Sequence, residues 1–302
     1  LNVKNYFEAK RELSFWQLKP AFTKKNSSVT LHMLQKTYSI YSDDLNDVRL
    51  FVETGKNHIA CWCKKSGDDI LRAFEFFQYD TNATQSFKEL FDNAKLYSRL
   101  LTMPLASTVF LWNTDEVICV PKDKNDVVFL QQNFELLKGS LPGTTIFSRE
   151  ADICTVAWRV EDSKQQIADQ YFPRASFIHQ FIALIPAMKL AGESGIHLFF
   201  YPHYFTLCLF KNNRLHYLNT VEYATPEDVL YFVLNVFKQY EVEKNIAVHC
   251  GGFIDENSKL YETLYQYLEG FQLLKADERQ LASDEFKEYA LHYFTPYINY
   301  VV

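Results

Sequence analysis

Two stretches of the chain follow the same order of events, and this repetition constrains the fold more than any other feature. The first, from Leu50, reads LFVETGKNHIACWCKKSGDDILRAFEFFQYD: an apolar run, a turn at Gly55-Lys56-Asn57, a second run ending in Lys64, and a third from Ile70. The second, from Leu198, reads LFFYPHYFTLCLFKNNRLHYLNTVEY: a run, a Pro202-His203 turn, a run ending in Lys211, an Asn212-Asn213 turn and a third run. A helix-like stretch follows each, TQSFKELFDNAKLYSRLL and PEDVLYFVLNVFKQY, and after it a further strand-like run, VFLW at 109 and IAVHC at 246. This predicts, twice, three antiparallel strands joined by tight turns, then a crossover helix and another strand. Aligned without gaps from Cys61 onto Cys208, Lys64 falls on Lys211 and Glu75 on Glu222. Apolar residues fill successive rather than alternate positions, so both faces of each sheet are expected to be covered, and the class is α/β.

The rest of the chain fits around these units. DICTVAWRV reads as a strand, DSKQQIADQYF and RASFIHQFIALIPAMKLAG as helices, the second ending at Gly192. Thr225-Pro226-Glu227-Asp228 is a helix start, with a cap, a proline at the first position and acids in the first turn. The expected division is a basic arm at 1–29, a first lobe at 30–150 and a second at 151–302, with GSLPG (139–143) as an interlobe loop lacking a phosphate-loop lysine.

Composition excludes several classes. With 302 residues, 48% hydrophobic and 23% charged, the chain can bury a large core, to which 26 Phe and 19 Tyr contribute. No stretch approaches the length of a membrane-spanning helix, and the first residues lack a secretory pattern, so a cytoplasmic location is expected. The six cysteines sit in apolar runs without framework spacing and read as reduced core residues. Cys61 and Cys63 share a strand face, but no second ligand pair follows, so no metal is assigned. The net charge of -6 disfavours nucleic acid. Only the arm departs from it, with Lys4, Lys10, Arg11, Lys19, Lys24 and Lys25 against Glu8 and Glu12, and it reads as solvated.

A duplicated meander with crossover helices resembles the superfamily of actin, heat-shock chaperones and sugar kinases, in which two lobes face each other across a cleft and clamp a nucleotide. More closely, the chain from about residue 30 to the closing HYFTPYINYVV is similar to a bacterial family of actin-like ATPase fold, known mainly from Bacteroidetes and without an assigned activity. The resemblance implies duplicated actin-like (ribonuclease H-like) lobes. It also implies where a nucleotide would lie. A strand ending in Gly251-Gly252 with a helix after it resembles the element whose bare backbone approaches adenosine, although a tight turn with close helix packing explains the pair equally. Active members carry an Asp-x-Gly turn in each lobe's first hairpin, the acid handling magnesium and the glycine N–H groups holding phosphate. Here the first turn is Glu53-Thr54-Gly55-Lys56-Asn57, with glutamate for aspartate and a lysine able to meet phosphate. The second, Tyr201-Pro202-His203-Tyr204, has no carboxylate, no glycine and one N–H fewer.

Glu53, Gly55, Lys56, Gly251 and Gly252 are therefore the candidate nucleotide contacts, and no cofactor is assigned. The expected function is a non-catalytic protein-binding or scaffold module with an unidentified protein partner; the alternative is an ATP-binding enzyme using the interlobe cleft. His249-Cys250 invites a nucleophile reading, but no base or oxyanion donors accompany it, and a buried strand cysteine explains it. His197, His203 and His216 read as ordinary imidazoles, and Asp68-Asp69 and Asp115-Glu116 as turn residues.

Overall fold

The computed structural model describes residues 34–298 apart from 66, 69, 81–85, 105–106 and 191; the basic arm at 1–29 lies outside the described residues. The first sheet opens with β1 (Leu34–Tyr41), β2 (Val48–Thr54), β3 (His58–Lys65) and β4 (Leu71–Tyr79), where β2, β3 and β4 form an antiparallel meander and β1 lines the outer side of β4. α1 (Phe87–Tyr97), opened by a capping box between Ser86 and Glu89, leads to β5 (Ser107–Trp112), parallel to β2. A separate three-stranded sheet follows, from β6 (Val117–Val120), β7 (Thr144–Glu150) and β8 (Thr155–Glu161), with α2 (Val127–Lys138) between β6 and β7. α3 (Asp162–Tyr171) returns the chain to β9 (Ser176–His179), parallel to β5, and α4 (Gln180–Leu190) leads out of the first sheet. The second sheet comprises β10 (Gly195–Tyr201), β11 (Tyr204–Lys211), β12 (Arg214–Glu222), β13 (Val248–Gly252) and β14 (Phe271–Leu273). α5 (Pro226–Gln239) and α6 (Lys259–Tyr267) make its crossovers, and short 3-10 turns and α7 (Thr295–Ile298) close the described chain.

With β1 set aside, the two sheets have one topology. The orders β4-β3-β2-β5-β9 and β12-β11-β10-β13-β14 are each a meander continued by two parallel strands. The three-stranded sheet with α2 is an insertion between the fourth strand of the first unit and its last crossover helix, α3. The meander over 196–223 and the helix from Pro226 fall where the sequence predicts them, and α5 starts with a Thr225–Asp228 capping box.

Four expectations change. Cys61 and Cys208 do sit fully buried on the middle strands of the two meanders, but Glu75 and Glu222 do not correspond. Opposite Cys61 on β4 is Glu75, whereas opposite Cys208 on β12 is Leu218, because β3 and β4 are joined by a longer connection than β11 and β12. The residues Ser176–His179 form a strand rather than the start of a helix, since β5 offers them a parallel edge. GSLPG joins α2 to β7 inside the inserted sheet and does not connect the two main sheets. A division at 150–151 falls between the paired β7 and β8, and β9 beyond it completes the first sheet, so we place the end of the first lobe near His179.

Alternation along the second sheet sorts the core. Ile196, Leu198, Phe200, Leu207 and Leu209 pack on Val229, Val233 and Leu264 of α5 and α6. Phe199, Tyr201, Tyr204, Cys208 and Phe210 point the other way and share one continuous core with the first sheet. β10 and β11 therefore bury both faces, which is why their apolar residues do not alternate with polar ones.

Candidate functional site

The hairpin turns that would face a nucleotide's phosphates lie against each other. Gly55 N–H, the group a phosphate oxygen would take, donates to His58 O at 3.0 Å, and Tyr79 Oη donates to Gly55 O at 2.5 Å. Asn57 Nδ2 crosses to the second turn and donates to Pro202 O at 2.7 Å. His203 takes a left-handed conformation, φ 66°, which closes that two-residue turn without glycine.

His58 fills the space between the turns. Its ring is fully buried, stacked between Phe76 of the first sheet (centroids 5.0 Å apart) and Tyr201 of the second (5.3 Å). Nε2 donates to Glu53 Oε1 at 2.9 Å, and Nδ1 lies 3.3 Å from Tyr204 Oη. Asn113 Nδ2 gives Glu53 a second hydrogen bond at 3.2 Å, so this buried carboxylate is turned inward among protein donors. A methyl group on Gly55 would overlap both His58 and Tyr204 Oη; the glycine admits the protein's own rings. Lys56 reaches Asp115 at 2.8 Å and also pairs with Glu222. Burial opposes its charge, but the two carboxylates outweigh burial and hold its pKa above the ordinary lysine value.

The glycine pair lies elsewhere. At Gly251 a methyl group would overlap Thr295 Oγ1 of α7, and at Gly252, φ 79°, it would overlap the backbone of Phe200. Phe253 N–H donates to Phe200 O at 2.9 Å, which fixes the turn. The C-terminal segment is seated over this element: His292 Nε2 bonds Ile254 O at 2.7 Å, Lys64 Nζ bonds Ile298 O, and Tyr297 packs on Trp62 and Phe74. Between the two groups of candidate residues runs an aromatic column, His58 to Phe76 and Phe76 to Phe253 (4.5 Å). Glu53, Gly55 and Lys56 are thus brought together, Gly251 and Gly252 form a second group, and packed rings stand between them.

Beside the first turn opens a groove of about 590 Å³, at the C-terminal ends of the parallel strands β2 and β5. Gly55, Lys56, Trp112 and Asn113 form part of its wall, and Leu141 and Arg159 of the inserted sheet another part. Arg159 pairs with Glu116 at 2.5 Å and donates to Gly139 O at 2.8 Å, which ties the insertion to the β5–β6 connection. Sequence reasoning took Asp115-Glu116 for a solvated turn, whereas both acids hold cations of the groove. It missed His58 and Asn113; the one available signal was a histidine and an asparagine directly flanking apolar strands at turn positions. Of the histidines read as ordinary imidazoles, His197 stacks on His249 at 4.9 Å, and His216 meets Tyr240.

A family model, described as a protein of unknown function (DUF3822), matches residues 43–271. The chain belongs to that family. Among solved structures it is similar to a protein of Bacteroides thetaiotaomicron described as having an actin-like ATPase fold and unknown function: TM-score 0.67, 14% identity, covering 76% of this chain and 91% of that one. It is also similar to a chain of the PilM-PilN type IV pilus biogenesis complex, with TM-score 0.57 and 9% identity over 83% of this chain and 97% of the other. The fold is therefore actin-like. No curated protein matches the chain. Among the described residues no helix is long and apolar enough to cross a membrane.

Proposed function

We propose that this DUF3822 chain is a non-catalytic actin-like module that acts through protein contacts. The observation that carries the reading is the state of the first turn: the Gly55 N–H, the Lys56 ammonium and the Glu53 carboxylate are each already bound by groups of the protein. A nucleotide would have to break those bonds and displace a fully buried His58. Fold alone licenses no activity. The PilM chain of similar fold is found in a complex with PilN, which supports a partner-binding role. The partner is a protein, and a cytoplasmic location belongs to the same proposal, in keeping with six free cysteines.

A second reading, a nucleotide-dependent enzyme with Glu53, Gly55, Lys56, Gly251 and Gly252 at its site, draws on the position of the groove, since open α/β sheets bind ligands beyond the carboxyl ends of their strands. The charges weigh against it: Asp80, Asp115, Glu116, Glu161 and Glu222 line the groove against Lys56, Arg159 and Lys164, an excess of negative charge that repels a polyphosphate. Calorimetric titration with ATP and magnesium separates the two. The expected result is no heat beyond dilution at millimolar nucleotide; saturable binding would overturn the non-catalytic reading.

A further inference from the structure

The groove beside the first turn has the wrong charge for a nucleotide but a coherent chemistry of its own. Each of its cations is already neutralised: Lys56 by Asp115 and Glu222, Arg159 by Glu116, and Lys164 by Glu161 at 2.7 Å. The lining therefore offers an occupant negative charge and no cation left unmatched. The apolar part of the wall includes Phe87, Leu90, Trp112 and Leu141. Leu141 of that wall is itself 41% exposed, and in the chain it follows the last turn of α2, where Leu136 and Leu137 are 81% and 63% exposed. Leucines so exposed, a few residues from a groove wall, are unusual on a surface that meets only water.

Two wall residues also carry buried polar atoms without a partner. Trp112 and Asn113 are 4% and 2% exposed, and Trp112 Nε1, a donor, and Asn113 Oδ1, an acceptor, make no hydrogen bond among the described residues. Buried donors and acceptors are nearly always satisfied, and a polypeptide backbone brings one carbonyl and one N–H per residue. The volume of about 590 Å³ lies in the range of sites that enclose a ligand's side chains.

We infer that this groove, between the first sheet and the inserted three-stranded sheet, is the docking site for a linear segment of a partner protein that carries apolar and basic side chains. The inference rests on the protein-binding reading above and adds the site and the chemistry of the partner. Leucine-like side chains would enter beside Phe87, Leu90 and Trp112, while lysine or arginine would meet the acids that exceed the cations, Asp115 and Glu222 sharing one lysine between them. Net attraction of this kind weakens as salt screens it.

The test is to pan a random dodecapeptide phage library on the full chain and to measure labelled synthetic versions of the enriched peptides by fluorescence polarisation. Enriched sequences are expected to be apolar and net positive, to bind less tightly at high salt, and to lose affinity by about tenfold on Leu141→Asp and on Glu161→Lys, the size of one lost interface anchor. Tyr265→Asp on α6, away from the groove, should bind as the parent does. Melting midpoints of both groove variants establish that they fold; where one does not, the other carries the comparison. Failure to enrich any sequence, enrichment of acidic ones, or unchanged affinity on a folded groove variant would overturn the inference. ATP binding in the calorimetric titration would instead overturn the non-catalytic reading, so the two failures are distinguishable.

Discussion

Gly251 offers the sharpest test of how the glycine pair is used. A methyl group placed there would overlap Thr295 Oγ1, while its next neighbours, two ring carbons of Phe199, lie at an ordinary 3.4 Å. Gly251→Ala should therefore cost about 1–3 kcal/mol through overpacking alone. Thr295→Ala removes the hydroxyl that donates to His292 O at 2.8 Å, a loss of about 1 kcal/mol. In the double variant the new methyl meets no oxygen, so the two changes should cost together little more than Thr295→Ala does by itself. The coupling read from a double-mutant cycle is then about 1–3 kcal/mol in magnitude. Denaturant unfolding of the four proteins measures it directly, and each kcal/mol also moves the melting midpoint by about 2–4 °C for a chain of this order. Additive effects, or a Gly251→Ala protein as stable as the parent, would refute the seating of α7 on the glycines and leave room there for a ligand.

Further expectations concern titration and reactivity. Burial, with His249 as a lesser cause, pushes the His197 pKa down to about 3. An unfolded histidine titrates near about 6.5, so the unfolded state takes up the extra proton as pH falls; the stability owed to this neutral ring is complete above about pH 6.5 and is lost progressively toward pH 3. At about pH 4.5 the loss is about 3 kcal/mol, and His197→Leu, which also removes the unpartnered Nδ1, should flatten the unfolding free energy between pH 7.5 and 4.5 by roughly that amount; an unchanged profile would contradict a buried neutral ring. Burial raises the thiol pKa values of Cys61, Cys208 and Cys250, all fully buried, so these should label only after denaturation. Rapid native labelling of Cys208 would place it in an open site and count against the shared core.

Much of the fold was legible because the pattern repeats. Runs such as YFTLCLF, apolar but for Thr206, read as strands covered on both faces, and Thr225 to Asp228 spells its own helix start. The inserted sheet was not legible, since β6 and β7 are short or largely exposed and gain their identity from pairing with β8. β9 was hidden for a similar reason: SFIH continues without a break into the apolar helix α4, and only the parallel edge of β5 distinguishes the two. At the site, Glu53, Gly55 and Lys56 are near neighbours in the sequence, but their partners come from far along the chain. Tyr204, Glu222 and Asn113 complete those contacts, and nothing in local spacing announces a contact between β3 and β11. The glycine pair shows the limit of motif reasoning, because the same bare backbone serves a ligand or, as here, a hydroxyl of the chain itself.

The central claim is that the protein's own side chains occupy the place a nucleotide would take, and a crystal structure grown with millimolar ATP and magnesium tests it most directly. The expected result is unbroken electron density for His58 stacked between Phe76 and Tyr201, with Thr295 on Gly251 and no nucleotide between the two turns. Nucleotide density between Gly55 and Gly251, with His58 swung out and α7 displaced from the glycines, would contradict the account.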